Sequence, residues 1–426
     1  MKFGCNRIAL VCAVGLISVT VVSARELTLD DCIAEALKNR SNIIAARGGE
    51  ELARAGKRAA LGAFLPTISA SYEARTAKPF EEDTLIGQVT RNTTFHAITG
   101  AIEIANLYTT LANYSSARTD VLKAKLDVIN SEQDMIYAVK LAYYDYLRSV
   151  EDVNVNTEAV KRSEEALKLI QSKFELGSAA KSDVLKQKVQ FGNDRVEMLR
   201  SKNSVTTTKS DLAYTIGIDP SSDVEFSQAY TTRQFDGTLE EAIQFALQNE
   251  PGLRASEQDV KGRKIDYRAA RSRYLPTIGG DFTVQESGPT GNFGDGPDKT
   301  ISYGVRLSWT LFDGFQRERA VTYARVARNN ATANLADERN AVISGVNSAY
   351  LNIGQLREQK AVSQENVDAA TEDLKISQEK YNLGAATILD LLDSQVSLKR
   401  AQAQLIQADF NLNLAVAKLE NAMGKM

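Results

Sequence analysis

The chain has 426 residues, with 51 basic and 54 acidic side chains, a formal net charge of −3, one histidine and three cysteines. A mildly acidic balance without a contiguous basic block does not suit a nucleic-acid partner. A lone histidine, and a lone cysteine once the first 24 residues are removed, exclude a His/Cys zinc site, a histidine-based triad and an internal disulfide within one chain.

Residues 1–24 read as a secretory signal peptide. Lys2 and Arg7 form a positive start, residues 8–22 an apolar run, and Val22-Ser23-Ala24 a small-residue cleavage site. Cys12 follows Leu10-Val11 rather than a small pair, so no lipid attachment is expected there. The mature chain then starts at Arg25, keeps only Cys32 and carries a charge near −5. No other apolar run approaches the ~18–20 residues that a spanning helix needs. An exported chain of this kind is either soluble or crosses a membrane as a β-barrel.

Thr28 opens the first element, with Asp31 three residues on as a capping box. A helix is predicted from there to about Gly62. The proline of Leu65-Pro66-Thr67-Ile68 stops it, because it supplies no N–H. Period-2 alternation follows: Ile68, Ala70, Tyr72 and Ala74 share one face. A second strand is predicted over residues 93–105, with Ile98, Ile102 and Ile104 in phase and His96 as a plain strand residue. A very long helix is then predicted over residues 107–174, with Met135, Val139, Ala142, Tyr146, Ile170 and Phe174 in a coiled-coil seam. Leu176-Gly177 ends it as a C-cap, and a second helix begins within a few residues.

The chain then repeats itself. "RAALGAFLPTIS" at 58–69 returns as "RAARSRYLPTIG" at 268–279. Thr238-x-x-Glu241 is a second capping box, again heading a helix predicted to run to about Ser272. "TIGGDFTVQ" and "ISYGVRLSWTL" (301–311) alternate strictly, and residues 288–299 form a Gly/Pro-rich loop between them. A second long helix is predicted over residues 315–381, with its seam running from Val342 through Val346, Ala349, Ile353, Leu356 and Lys360 to Tyr381. Leu383-Gly384 ends it, and Asp390 and Asp393 follow on one helical face. We therefore divide the chain into a first repeat at 25–219, a linker at 220–237 and a second repeat at 238–426. A period this long means a duplicated unit.

Each repeat supplies two strands with one apolar and one polar face, about the length that crosses a bilayer. A half-buried soluble sheet would alternate in the same way. Four strands do not close a barrel, and an open edge is not tolerated in lipid. If these strands span a membrane, several copies must combine.

The duplicated Leu-Pro-Thr-Ile ends, Ser308-Trp309-x-Leu311-Phe312-Asp313-Gly314 and the two Leu-Gly hairpin turns together resemble the TolC family of outer-membrane efflux proteins across nearly the whole mature chain. The resemblance implies an α+β membrane protein and a homotrimer. Its four strands per chain would build one 12-stranded β-barrel, continued by a long periplasmic α-helical coiled-coil barrel. It implies the outer membrane of a Gram-negative bacterium, with an adaptor protein and an inner-membrane pump as partners. A passive export duct is then expected, serving a tripartite pump or type I secretion system, without enzyme activity, cofactor or metal. The resemblance also assigns site residues. Asp390 and Asp393 match the acidic pore constriction, where a trimer would hold six carboxylates whose crowding raises some pKa values. Ser182, Asp183 and Tyr381 match contacts of the periplasmic tip, and Gly177 and Gly384 are its hairpin-turn glycines. Ser182 or Asp183 could equally be an ordinary N-cap. Ala386 stands where a branch of the family has an arginine linking neighbouring hairpins, so that link is missing. Two other readings of the residues are a soluble periplasmic coiled-coil scaffold and a hydrolase with paired carboxylates. No acid sits in a motif that would support the hydrolase.

Overall fold

The computed structural model describes residues 26–77, 91–102, 107–222, 224–230, 235–288 and 298–425. The expected signal peptide and most of the expected loop at 288–299 lie outside these residues. Thr28 and Thr238 each cap a short helix, α1 (Leu29–Asn39) and α5 (Leu239–Asn249), through two-way capping boxes with Asp31 and Glu241. The single helix expected to reach residue 62 or 272 is not formed. Arg40 and Glu250 are extended, and new helices, α2 (Ser41–Gly62) and α6 (Pro251–Ser272), start beyond them.

The two breaks have different causes. Pro251 is tolerated as the first residue of a helix but not inside one. The Glu250 carboxylate then accepts the N–H groups of Gly252, at 2.9 Å, and Leu253. No proline marks the first repeat. There Arg40 reaches a distant segment, donating to the Tyr214 carbonyl at 3.0 Å and lying 4.9 Å from the Tyr214 ring.

The alternating segments form β1 (Thr67–Ala77), β2 (Arg91–Ile102), β3 (Thr277–Gly288) and β4 (Asp298–Ser308). They pair antiparallel in the order β1-β2-β3-β4. The register aligns apolar positions across the sheet: Ala70, Ile98, Val284 and Ile301 fall in one row. Tyr303 and Val305 on that face are each 84 % exposed. Trp309 and Leu311 continue the alternation in the sequence but lie beyond the strand. The chain turns there because the Trp309 indole donates to the Tyr274 carbonyl at 3.2 Å. Arg317, held by Asp313 at 3.0 Å, also donates to the carbonyls of Thr310 and Leu311.

The long helices are α3 (Leu107–Glu175) and α7 (Gln316–Asn382), of 69 and 67 residues. Each spans roughly 100 Å. Each folds back into a partner, α4 (Lys181–Ile216) or α8 (Ile388–Ala422). The same six-element order thus occurs twice. Seam residues Met135, Val139, Tyr146, Ile170, Val346, Ala349, Ile353 and Leu356 are buried as their spacing predicts. Polar seam positions are satisfied by pairing, as where Lys360 meets Asp409. Two apolar cores form where the short helices meet the long ones. One gathers Cys32, Tyr143, Leu212 and Phe226; the other gathers Ala246, Val346, Val416 and Leu419. The hairpins are joined to each other by ion pairs, Lys140 to Glu420 at 3.1 Å and Lys399 to Asp194 at 3.2 Å. Among the described residues, no helix is long and apolar enough to cross a membrane.

Candidate functional site

The residues singled out by the sequence converge at the far ends of the two hairpins. Both turns use the same chemistry. Gly177 and Gly384 have φ of +77° and +76°, which a side-chain-bearing residue adopts only with strain. Past each glycine the chain reaches back. Ser178 N–H donates to the Lys173 carbonyl and Ala385 N–H to the Lys380 carbonyl, both at 2.8 Å. This is the αL closure that satisfies the last carbonyls of a helix. Nothing lies within 4 Å of a side chain added at either glycine, so conformation rather than space selects it.

The helices that leave the turns start differently. Thr387 caps α8 in a third capping box: its N–H and hydroxyl both reach an Asp390 oxygen at 2.7 Å, and its hydroxyl accepts the Asp390 N–H. Thr-x-x-Asp is the signature already used at Thr28, so this role is legible in the sequence. At the matching place in the first repeat stands Ala180, which caps α4 without a side-chain bond. Neither Ser182 nor Asp183 is therefore the N-cap. Ser182 donates to Asp183 at 3.3 Å, and Asp183 occupies the first turn of α4.

Asp390 and Asp393 are both exposed, whereas Ile388, Leu391 and Ser394 between and beside them are buried. The two acids thus project away from the rest of the hairpin. Within the single chain the Asp390 pKa moves down, first because the Thr387 hydroxyl donates to the carboxylate and then because the Thr387 N–H does.

Tyr381 occupies the centre of the tip. It is buried with Ile170, Ile388 and Leu391, so all three helices α3, α7 and α8 contribute. Burial raises its phenol pKa, and the Asp183 charge raises it further. Asp183 and Tyr381 are in this sense brought together across the two hairpins. The sequence reading missed the group that joins them most directly. Lys173, in the last turn of α3, donates to the carbonyls of Tyr381 at 3.1 Å and Asn382 at 3.3 Å. Its ammonium also lies 4.7 Å from the Tyr381 ring centre. A cation at the C-terminal end of α7 answers both its free carbonyls and its dipole. About two turns back along α7, Ser394 of α8 donates to Asp373 at 2.6 Å.

Among the described residues, no group of three or more His, Cys, Asp or Glu is placed to hold a metal. The arrangement is two hairpin ends held by a few polar contacts, with both acids exposed.

Comparison with known proteins agrees with this architecture. The family model described as outer membrane efflux protein matches residues 32–217 and 242–425. The outer membrane efflux protein BepC of Brucella suis is 22 % identical over 426 residues, covering 98 % of this chain and 90 % of that protein. The outer membrane protein TolC of Vibrio cholerae is 28 % identical over 307 residues, covering 68 % of this chain and 67 % of that protein. The crystal structure of the outer membrane protein VceC from Vibrio cholerae superimposes with a TM-score of 0.83 at 16 % identity, covering 93 % of this chain and 96 % of that one.

Proposed function

The chain belongs to the outer membrane efflux protein family, and we propose that three copies form one continuous export duct. It is an outer-membrane channel with a large helical portion on the periplasmic side. The observation that carries the trimer is the four-stranded sheet with an open edge at β1 and another at β4. Its apolar face is exposed on β1, β3 and β4, at Ile68, Tyr72, Phe282, Tyr303 and Val305. Edge-to-edge pairing of β4 with β1 of the next copy closes twelve strands and leaves no edge in lipid. Twelve helices continue the wall below. The protein does no chemistry in this reading; an inner-membrane pump supplies the energy through an adaptor.

The gate lies at the hairpin ends. Asp390 and Asp393 of three copies form a ring of six carboxylates at the narrowest point, which favours cations. Gly177 and Gly384 set the turns, and Ser182, Asp183 and Tyr381 hold them together. The exposure of both acids, with buried residues behind them, supports this assignment. Single-channel conductance of the detergent-extracted protein in a planar bilayer tests it. Discrete cation-preferring steps that change in Asp390→Asn/Asp393→Asn are expected. Unchanged steps would remove these two residues from the gate, and protein that stays soluble without detergent and makes no steps would point to a scaffold.

A further inference from the structure

The sequence contains no contiguous basic block, yet the fold assembles one. Lys261, Lys264, Arg268 and Arg271 follow at spacings of 3, 4 and 3, which places them on one face of α6. All four are exposed. Against α7 this face forms a groove of 820 Å³, lined by Lys264, Tyr267, Arg268, Arg271 and Arg328 among others and by no acid. Of the acids of α6, Asp259 and Asp266 are engaged with Arg263, and Glu257 lies a turn before Lys261, outside the groove lining. Among the described residues, none of the four lining cations is ion-paired. Arg328 is instead oriented by Asn329 at 2.9 Å and by the Tyr267 ring at 4.7 Å. Like charges crowded without counter-charge repel, so a groove of this kind favours an anion. Guanidinium forks suit phosphate in particular.

Position narrows the source of that phosphate. Arg271 lies one residue before the end of α6, and β3 begins at Thr277. Arg328 lies in the fourth turn of α7. The upper end of the groove, at Arg271, therefore lies just below the strands, and its lining continues down α7 from about 18 Å to about 30 Å beyond that helix's first residue. At the strand ends Trp309, Leu311, Phe312 and Phe315 are 60 %, 77 %, 73 % and 68 % exposed, a belt suited to the headgroup level. The groove also lies on a definable side of α7. Asn329, Thr332 and Ala336 of its lining each directly follow a buried or half-buried residue of α7, namely Arg328, Ala331 and Leu335. Tyr350 and Arg357 follow Ala349 and Leu356 in the same way. Those two carry the segment leading into α5: Phe235 packs on Tyr350, and Arg357 holds the Phe235 carbonyl. The groove thus shares the side of α7 on which the segment leading into α5 packs.

We propose that this groove binds the phosphate of an anionic phospholipid in the periplasmic leaflet of the membrane. The proposal rests on the reading of the strands as membrane-spanning. Trp309 is the sole tryptophan and is hydrogen-bonded to the Tyr274 carbonyl, three residues beyond Arg271, so its fluorescence reports on lipid at the groove. The full protein is reconstituted into mixed phosphatidylglycerol and phosphatidylcholine vesicles, with brominated chains on one lipid or the other. Brominated phosphatidylglycerol should quench Trp309 at least about twofold more strongly than brominated phosphatidylcholine. Lys264→Gln/Arg268→Gln/Arg271→Gln should bring the ratio to one with an unchanged melting temperature, while Arg268→Lys/Arg271→Lys keeps a ratio above one. Equal quenching in the unaltered protein would overturn the lipid site and leave the membrane reading standing. Absence of quenching by either lipid would overturn the membrane reading itself. Loss of the preference in millimolar inorganic phosphate at constant ionic strength, with calorimetric heat from phosphate in detergent, would assign the groove to the free anion and overturn the lipid assignment.

Discussion

The ammonium of Lys173 donates to the carbonyl of Tyr381 and lies over the ring of the same residue, so one cation ties the end of α3 to the end of α7. Ala386 offers no basic group beyond the turn, and the basic link found here lies within one chain. A partly exposed cation at a helix end and over an aromatic ring contributes about 1 kcal/mol. Lys173→Gln is expected to loosen the tip and raise the fraction of time a single channel spends conducting, by about fivefold. Double-mutant cycles with Tyr381→Leu should show coupling. Additive effects would mean the contact does not hold the tip.

The start of α8 offers a second test. Thr387→Ala removes the hydroxyl that pairs with Asp390 and should cost about 1 kcal/mol of local stability. Amide exchange in the first two turns of α8 should accelerate by about fivefold. The same bond holds the Asp390 pKa down. A depressed carboxylate stabilises above its unfolded pKa and loses that contribution as pH falls through the folded value. Protection of these amides should therefore fall on acidification below the ordinary aspartate range, and Thr387→Ala should weaken that dependence, the backbone N–H at 387 still donating to Asp390.

The reverse substitution tests why Asp183 acts differently from Asp390. Ala180 offers no hydroxyl, which leaves the Asp183 carboxylate able to act on Tyr381. Ala180→Thr should complete a capping box, slow exchange at the start of α4 and draw the Asp183 charge away. The Tyr381 phenol, raised by burial and by Asp183, should then titrate at lower pH, as followed by tyrosinate absorbance against a Tyr381→Phe control.

Lys140 and Glu420 join the two hairpins with side chains only 7 % and 18 % exposed. Removing Lys140 takes away an ammonium that faces the Glu420 carboxylate at 3.1 Å in a nearly dry seam. Lys140→Met should destabilise the protein by about 3 kcal/mol, and Lys140→Met/Glu420→Leu should recover most of the loss. Chemical unfolding in detergent reads both.

How much of this was legible in the residues depends on the range of the interactions. The turn glycines, the Thr28 and Thr238 caps and the long seams are local in sequence, and spacing alone locates them. Asp390 was visible as the end of a Thr-x-x-Asp box, although the resemblance directed attention to its place in a ring. The break at Arg40 was not legible, because its partner Tyr214 lies 174 residues away. Lys173 was hidden for the same reason, its acceptors being 208 and 209 residues distant. The basic groove combines a helical stripe on α6 with Arg328 of α7, so no linear window contains it.

Cys32 is fully buried in the core that α1 shares with Tyr143 and Leu212, and its thiol pKa is pushed up to about 12 by burial and then by Asp31. A raised value means the fold favours the neutral thiol. Its contribution to stability is complete below the unfolded pKa of about 8.5 and declines as pH rises toward 12. Two outcomes follow for the protein without residues 1–24. A thiol-specific reagent at pH 8 should label Cys32 only after denaturant is added, since the thiolate is the reactive form and the fold suppresses it. Stability should also fall between pH 9 and 11 more steeply than in Cys32→Ala, which has no thiol to ionise, although the variant starts lower because it leaves a small void. Fast labelling of the native protein would mean that α1 detaches from α3, which amide exchange across α1 would then show as well.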